Sequence, residues 1–405
     1  MSHTLITFLG SVPSSHDRQY RETCYALDGQ QFRCRFLGTG LAEALHVDRV
    51  RILGTAGSMW DVLADELGAT GDAEAWVRLA DAVALNQVSA ELLQSIEEQL
   101  NAARACPQFE LRLIPYGYQE TAQVDIMRAL SEGLERGSHE VTLDITHGFR
   151  HLPALGLLGM FYMNAMGHTR LRSIYYAAFR PDQDETRVVN LSGLLHIQEW
   201  VRCLDQFGKD GDYSVFAELL TREGMRGDLL AEAAFLERTG NLSMAKKKLD
   251  SFWNLKVPPH TPACQMFWPL LEKRLRWRLG SKHWELERKL AQEFLARKDY
   301  LRAAIFIYES RISQQVELVE GSVQNYDVDR ARAEAELKQD TKSNRHVFSN
   351  AQNFFTLKGV RNRLAHGVRS KVDSPDGMTQ KTAEFIESLA SDEKRLHDWL
   401  TAALK

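Results

Sequence analysis

Long apolar runs are missing from this sequence. No stretch of about 18 residues is apolar enough to cross a bilayer, and the start, Met-Ser-His-Thr, lacks the form of a secretory leader. Cysteine is scarce: Cys24, Cys34, Cys106, Cys203 and Cys264 are odd in number, scattered and never spaced C-x-x-C. That excludes a disulfide framework and a cysteine zinc site, and it points to the reducing cytoplasm. The glycine fingerprints G-x-G-x-x-G and G-x-x-x-x-G-K-[ST] are absent, so neither a dinucleotide fold nor a P-loop is supported. Gly57-Ser58 lacks the second glycine of a nucleophile elbow, which argues against a serine hydrolase. Net positive charge is lacking too. Fifty Lys and Arg against 54 Asp and Glu leave −4, so nucleic acid has to be met by a local patch.

What is present is an ordinary soluble composition, 44% hydrophobic and 26% charged, over 405 residues, enough for two domains. The first ~195 residues alternate strand and helix. Short apolar runs at Leu5–Leu9, Val50–Leu53, Glu110–Pro115, Glu140–Thr146, Arg172–Phe179 and Arg187–Leu191 read as strands, and residues 20–38 as a hairpin turning at Asp28-Gly29. Helical periodicity fills Leu41–His46, Asp61–Leu67, most of 72–104, Thr121–Glu135 and the stretch after Pro153 to Met166. The pattern predicts a mostly parallel, doubly wound sheet whose ligands bind beyond the C-terminal strand ends. Three of those ends carry small turns: Gly10-Ser11, Gly54-Thr55-Ala-Gly-Ser58 and Asp144-Ile-Thr-His-Gly-Phe-Arg150. Their amides, with Ser58, Thr146 and Arg150, suit phosphates, although plain turn chemistry serves as well. His147 and His151 stand i, i+4 but have no third ligand in view, so no metal site is expected.

After Leu195 the strand signals stop. Pro258-Pro259-His-Thr-Pro262 is the clearest breaker, dividing a helical connector (196–262) from a helical domain (263–405). Trp268, Trp277, Trp284, Phe294 and Tyr300 suggest its packed core. Residues 321–346 are polar and read as an exposed hairpin or loop. From Thr341 through Val372 there is no Asp or Glu, while Lys342, Arg345, Lys358, Arg361, Arg363, Arg369 and Lys371 all fall there. This window holds Arg361-Asn362-Arg363-Leu364-Ala365-His366, a phosphate-binding guanidinium and a proton-moving imidazole, within a surface suited to a polyanion. On a straight helix Asn362, Arg363 and His366 share an arc opposite Phe354, Leu357, Val360 and Leu364, and Arg361 projects toward the apolar side. Either Gly359 breaks the helix and puts Arg361 in a first turn, or Arg361 reaches across a subunit interface. The plain alternative is a basic amphipathic helix with a structural histidine.

Asp-Ile-Thr-His-Gly-Phe-Arg-His-Leu-Pro (144–153) in a doubly wound domain, followed by Arg-Asn-x-x-x-His (361–366) in a helical one, resembles the CARF–HEPN ribonucleases that accompany type III CRISPR systems. Phe8-Leu9-Gly10, the Tyr20/Thr23/Tyr25 spacing and Leu53–Trp60 resemble the branch found beside the effector complexes. The resemblance implies a CARF sheet domain (1–195), the connector and a HEPN domain (263–405). It implies a homodimer, or a higher oligomer, in which a cyclic oligoadenylate contacts Gly10, Ser11, Gly54, Thr55, Ser58, Thr146, His147, Gly148 and Arg150. It further implies metal-independent cleavage of single-stranded RNA by Arg361, Asn362 and His366, with Lys358, Arg363 and Arg369 as RNA contacts. The resemblance favours cyclic tetra-adenylate over hexa-adenylate as the activator and implies neither a cofactor nor a membrane. The competing class is a ligand-sensing binding module that contacts nucleic acid or protein without cutting. A constitutive nuclease with a vestigial sensor is a further alternative, and slow cleavage of the ligand by its own sensor domain is compatible with the main reading.

Overall fold

The computed structural model describes residues 2–11, 22–69, 71–134, 139–180, 182–342, 349–367 and 380–405. It divides into two compact units, Met1–Gln198 and Glu199–Lys405.

The first unit alternates strand and helix: β1 (Ser2–Phe8), β2 (Thr23–Leu27), β3 (Gln30–Cys34), α1 (Leu37–Ala44), β4 (Arg49–Gly54), α2 (Trp60–Glu66), α3 (Ala73–Ala84), α4 (Ala90–Ala102), β5 (Gln108–Leu113), α5 (Glu120–Ser131), β6 (His139–Asp144), α6 (His151–Ala165), β7 (Arg170–Ala178) and β8 (Glu185–Asn190). One sheet holds all eight strands in the order β3-β2-β8-β7-β6-β1-β4-β5. The run β7-β6-β1-β4-β5 is parallel, and β2/β3 and β7/β8 are antiparallel. Asp28 and Gly29, both at positive φ, make the turn between β2 and β3.

Alternation along the strands builds a core on each face. Leu5, Val50 and Ile52 face Leu41, Leu63 and Ile96 on one side, while Ile6, Phe8 and Leu143 face Ile126, Leu130 and Met160 on the other. Each such side chain contributes about 1.5–3 kcal/mol by leaving water. Helix α6 lies close against β1 because residue 156 is glycine. A Cβ there would stand 2.6 Å from the Phe8 ring. Chain order reverses at β1, which runs outward through β4 and β5 and is flanked on its other side by β6. The C-terminal ends of β1 and β6 therefore open the crevice where such sheets take ligands.

The second unit is helical: α7 (Gly193–Asp210, entering from the first unit), α8 (Ala217–Arg222), α9 (Gly227–Arg238), α10 (Leu242–Asn254), α11 (Pro262–Arg274), α12 (His283–Ala296), α13 (Tyr300–Leu318), α14 (Ala331–Lys342), α15 (Phe354–His366), α16 (Gln380–Ala390) and α17 (Glu393–Ala403). The expected connector does not stand apart. Trp200, Phe216, Leu230 and Leu249 share one core with Phe267, Leu290, Ile307 and Leu400. Pro262 is not a boundary but the first residue of α11, capped by the Thr261 hydroxyl. The polar stretch 321–346 is corrected in part, since α14 occupies much of it. Its helix is laced by Glu334–Lys338 at 2.6 Å and Arg332–Glu336 at 3.0 Å, both i, i+4. Trp284 is only half-buried and donates its indole N–H to Glu317 at 2.7 Å.

Within this core lies a buried ion pair, Arg274 with Glu237, 3% and 4% exposed. Glu237 also accepts from the Tyr213 hydroxyl at 3.1 Å. Removing one partner strands a charge in a dry interior. Arg274→Met is therefore expected to lower the unfolding free energy of this unit by about 3–5 kcal/mol. A further Glu237→Gln change should restore part of the loss, read by urea denaturation followed on tryptophan fluorescence. An unchanged midpoint for Arg274→Met would mean that the pair is solvated.

Candidate functional site

At the C-terminal edge of the sheet, the polar residues of the three turns divide into those that build the edge and those that face outward. Ser58 and Thr55 build it. Both are buried; the Ser58 hydroxyl donates to the Leu9 carbonyl and accepts from the Thr55 N–H, each at 2.9 Å. Gly10 is buried and its carbonyl accepts from the Met59 N–H at 3.0 Å. Gly54 is required for packing, because a Cβ there would come within 2.5 Å of the Trp60 ring. Together these contacts staple the end of β1 to the turn after β4.

The β6 turn is organised from Asp144, fully buried, which accepts from the Thr7 hydroxyl at 2.7 Å and the Thr146 N–H at 2.9 Å. The Thr146 hydroxyl in turn accepts from the Ala177 N–H of β7 at 2.9 Å. His147 is turned inward: its Nε2 accepts from the Leu37 N–H at 3.1 Å, capping the start of α1, which no side chain of residue 36 caps. Burial pushes the His147 imidazole below its usual range, with Asp144 opposing the shift, so it rests neutral. Gly148 sits at φ +94°, 3.2 Å from Phe8 to any added Cβ. Of the nine expected ligand contacts, Thr55, Ser58 and His147 thus have their side chains bonded within the fold itself. Ser11 and Arg150 are exposed.

Ser11 opens onto a cleft of about 260 Å³ lined by Gly57, Asp61, Asn86, Tyr116 and Phe149. An aromatic group continues from it. Tyr116 stacks on Tyr118 at 5.8 Å and meets Phe149 at 5.7 Å, and Phe149 stacks on His151 at 6.1 Å. The His151 Nε2 donates to the Tyr116 carbonyl at 2.6 Å, joining the turn after β5 to α6. Tyr118 is 78% exposed. Periodicity does not single these residues out; the one cue is Tyr116-Gly117-Tyr118 directly after a strand. Among the described residues, no three His, Cys, Asp or Glu gather as a metal would need, and no helix is long and apolar enough to cross a membrane.

In the helical unit, α15 is unbroken from Phe354 to His366, so Gly359 marks no break and Arg361 is not in a first turn. Asn353 caps its start through the Thr356 N–H, and Gly367 at φ +66° ends it. Phe354, Leu357 and Val360 face the core, with Leu364 packed at its margin. Arg361 turns toward that side, its guanidinium 4.6 Å over the Tyr308 ring. His366 is exposed and Asn362 half-buried. Five residues apart, Arg361 and His366 point about 140° from one another around the helix. One helix therefore does not bring them onto one face.

The acid-free window meets carboxylates from elsewhere in the fold. Lys358 lies 3.7 Å from Glu334 of α14. Arg363 is paired with Glu387 of α16 and donates to the Gly367 carbonyl at 2.9 Å. Arg369 lies outside the described residues.

Residues 4–179 match the family model of the CRISPR system endoribonuclease Csx1, CARF domain. The CRISPR-associated protein MJ1674 of Methanocaldococcus jannaschii is 29% identical over 248 residues, 55% of this chain and 39% of that protein. The match thus spans well under half of that relative's length. A solved structure of Enterococcus italicus Csm6 bound to cyclic hexa-2'-fluoro-hexa-dAMP aligns over 100% of this chain and 94% of its own, at 13% identity and a TM-score of 0.39. That likeness is too loose to define a shared arrangement.

The inward His147 makes a measurable pH signature. A histidine held neutral by folding takes up its proton more readily unfolded. Its contribution is present above the free value of 6.5 and is lost as pH falls through the lowered folded value. Urea midpoints between about pH 8 and pH 5 should fall on acidification, and less steeply in His147→Gln, whose amide oxygen still accepts the Leu37 N–H. Equal slopes would mean that His147 is solvated.

Proposed function

We propose that the chain is a CARF–HEPN ribonuclease of type III CRISPR defence, in which a cyclic oligoadenylate held at the sheet unit switches on cleavage of single-stranded RNA at the helical unit. One observation carries this reading: a Csx1-type CARF match over residues 4–179 stands in the same chain as Arg361-Asn362-x-x-x-His366 on a capped helix. The ligand cleft is read at Ser11, Arg150 and the Tyr116, Tyr118 and Phe149 rings, with the remaining turn residues shaping it from behind. The activator is cyclic tetra-adenylate in preference to hexa-adenylate.

The chemistry follows from the groups available. His366 takes the proton of a ribose 2′-OH, whose oxygen attacks the adjacent phosphorus. The bond to the 5′-oxygen breaks and that oxygen leaves with the proton that His366 returns, giving a 2′,3′-cyclic phosphate and a 5′-OH. Arg361 offsets the charge that builds on the phosphorane, and Asn362 orients the phosphate or the imidazole. Lys358, Arg363 and Arg369 are the flanking RNA contacts, the first two by exchanging their carboxylates for phosphates. Because Arg361 and His366 diverge on one helix, the working site is composite, with α15 of two copies facing one another.

A surface feature of the sheet unit supports the pairing. Helix α6 carries no Lys, Arg, Asp or Glu, yet Leu158 and Tyr162 stand one turn apart at 64% and 57% exposure, with Met166 another turn on at 44%. A helix apolar on every side is one covered on every side. A second copy of the same face is the cover proposed here.

Two measurements test the scheme. Fluorescent single-stranded RNA in EDTA should be cut only with cyclic tetra-adenylate, and His366→Ala should slow the stimulated rate by roughly 10²- to 10⁴-fold. Cleavage without activator would make the sheet unit a vestigial sensor, and no cleavage with either ring would favour the binding module. Leu158→Lys should convert a dimer to a monomer by sedimentation and abolish stimulation; an unchanged mass would remove α6 from the interface.

A further inference from the structure

Arg361 is held differently from the other cations of its surroundings. Lys358, Arg363 and Arg330 lie against the carboxylates of Glu334, Glu387 and Glu309. Among the described residues no carboxylate pairs with Arg361, and its Nε is buried without a hydrogen-bond partner. Its contacts are with Tyr308, whose ring face lies 4.6 Å away and whose phenol oxygen it also meets in a side-chain hydrogen bond. That ring is itself fixed. Phe354 stacks on it at 4.9 Å and 17°, and Phe354 and Arg361 are seven residues apart on α15. Two helical turns rise about 10.5 Å, which leaves room for one aromatic ring between the two side chains. The Tyr308 hydroxyl donates to Glu334 at 2.7 Å, and Lys338 holds Glu334 from its other side at 2.6 Å. Burial, then this hydrogen bond, pushes the Tyr308 phenol well above its usual range, so it stays a neutral donor.

The means of attachment matters chemically. A carboxylate holds a guanidinium through its N–H donors and cancels its charge, whereas a neutral phenol ring leaves the charge uncancelled and engages few of the donors. We propose that Tyr308, locked by Phe354 and Glu334, is a positioning residue for Arg361, presenting the guanidinium's N–H edge to the scissile phosphate. The inference rests on the ribonuclease reading above and assigns within it a part to a core residue of α13, far upstream of the motif.

The test uses the full-length chain with activator and single-stranded RNA. Tyr308→Phe keeps the ring and should retain kcat within a few-fold. Tyr308→Leu removes it and should lower kcat by roughly 10- to 100-fold with little change in KM, the signature of a displaced charge-stabilising group. In an Arg361→Ala background Tyr308→Leu should add nothing further, because it acts through the guanidinium. Tyr308→Met stands in if the leucine variant does not fold. Unchanged kcat in the leucine or methionine variant, equal losses for Phe and Leu, or an additive loss in the Arg361→Ala background would each overturn the proposal. Should the wild-type chain fail to cut RNA with either ring, the ribonuclease reading fails and takes this role with it; cleavage lost in His366→Ala but untouched by Tyr308→Leu defeats this role alone.

Discussion

The sheet unit depends on one buried carboxylate. Asp144 has no access to water, and its two oxygens are taken by the Thr7 hydroxyl and the Thr146 N–H. These bonds tie β1 to β6 at the point where the chain reverses its order across the sheet. A charge in that position is tolerable only with its acceptor capacity filled. The next few residues of the chain are built on this anchor: Thr146 reaches β7, His147 reaches α1, and Gly148 swings the backbone over Phe8 toward α6. The outward residues Phe149 and Arg150 are thus displayed from a turn that has little freedom of its own.

The helical unit solves a different problem. Its charges are numerous, and those that are buried or half-buried are largely matched. Arg274 with Glu237 and Arg330 with Glu309 are matched by opposite charge. Arg361 is matched by an aromatic face, with one donor left over. The Arg361 Nε shares that state with Arg274 Nη1, Trp277 Nε1 and Glu287 Oε2 of the same unit, and differs from them in lying within the Arg361–His366 motif.

Much of this is legible in the residues themselves. Alternating apolar runs mark the strands, Asp28-Gly29 marks the hairpin turn, and the arc of Phe354, Leu357 and Val360 marks the buried side of α15. That the side chains of Ser58 and Thr55 bond within the fold is not legible, because a small polar residue at a strand end satisfies a neighbouring backbone as readily as a phosphate and the sequence is the same in either case. The misreadings have physical causes. Helix α14 reads as a loop because its stability comes from paired charges and not from an apolar stripe. The connector reads as separate because a proline cluster ends a helix without ending a core. The carboxylates of Glu334 and Glu387 lie on other helices, beyond the reach of any window drawn around Arg361.

Those same carboxylates bear on how the protein would respond to ionic strength. Binding to a polyanion ordinarily gains from the counterions that free lysines and arginines set loose, and it weakens steeply as salt is added. On α15, Lys358 and Arg363 already have acidic neighbours of their own chain. In the proposed RNA complex, contact there would trade one anionic partner for another and liberate few ions. The grip of this helix on a nucleic acid would be modest but nearly indifferent to salt, with selectivity left to shape and chemistry at the cut.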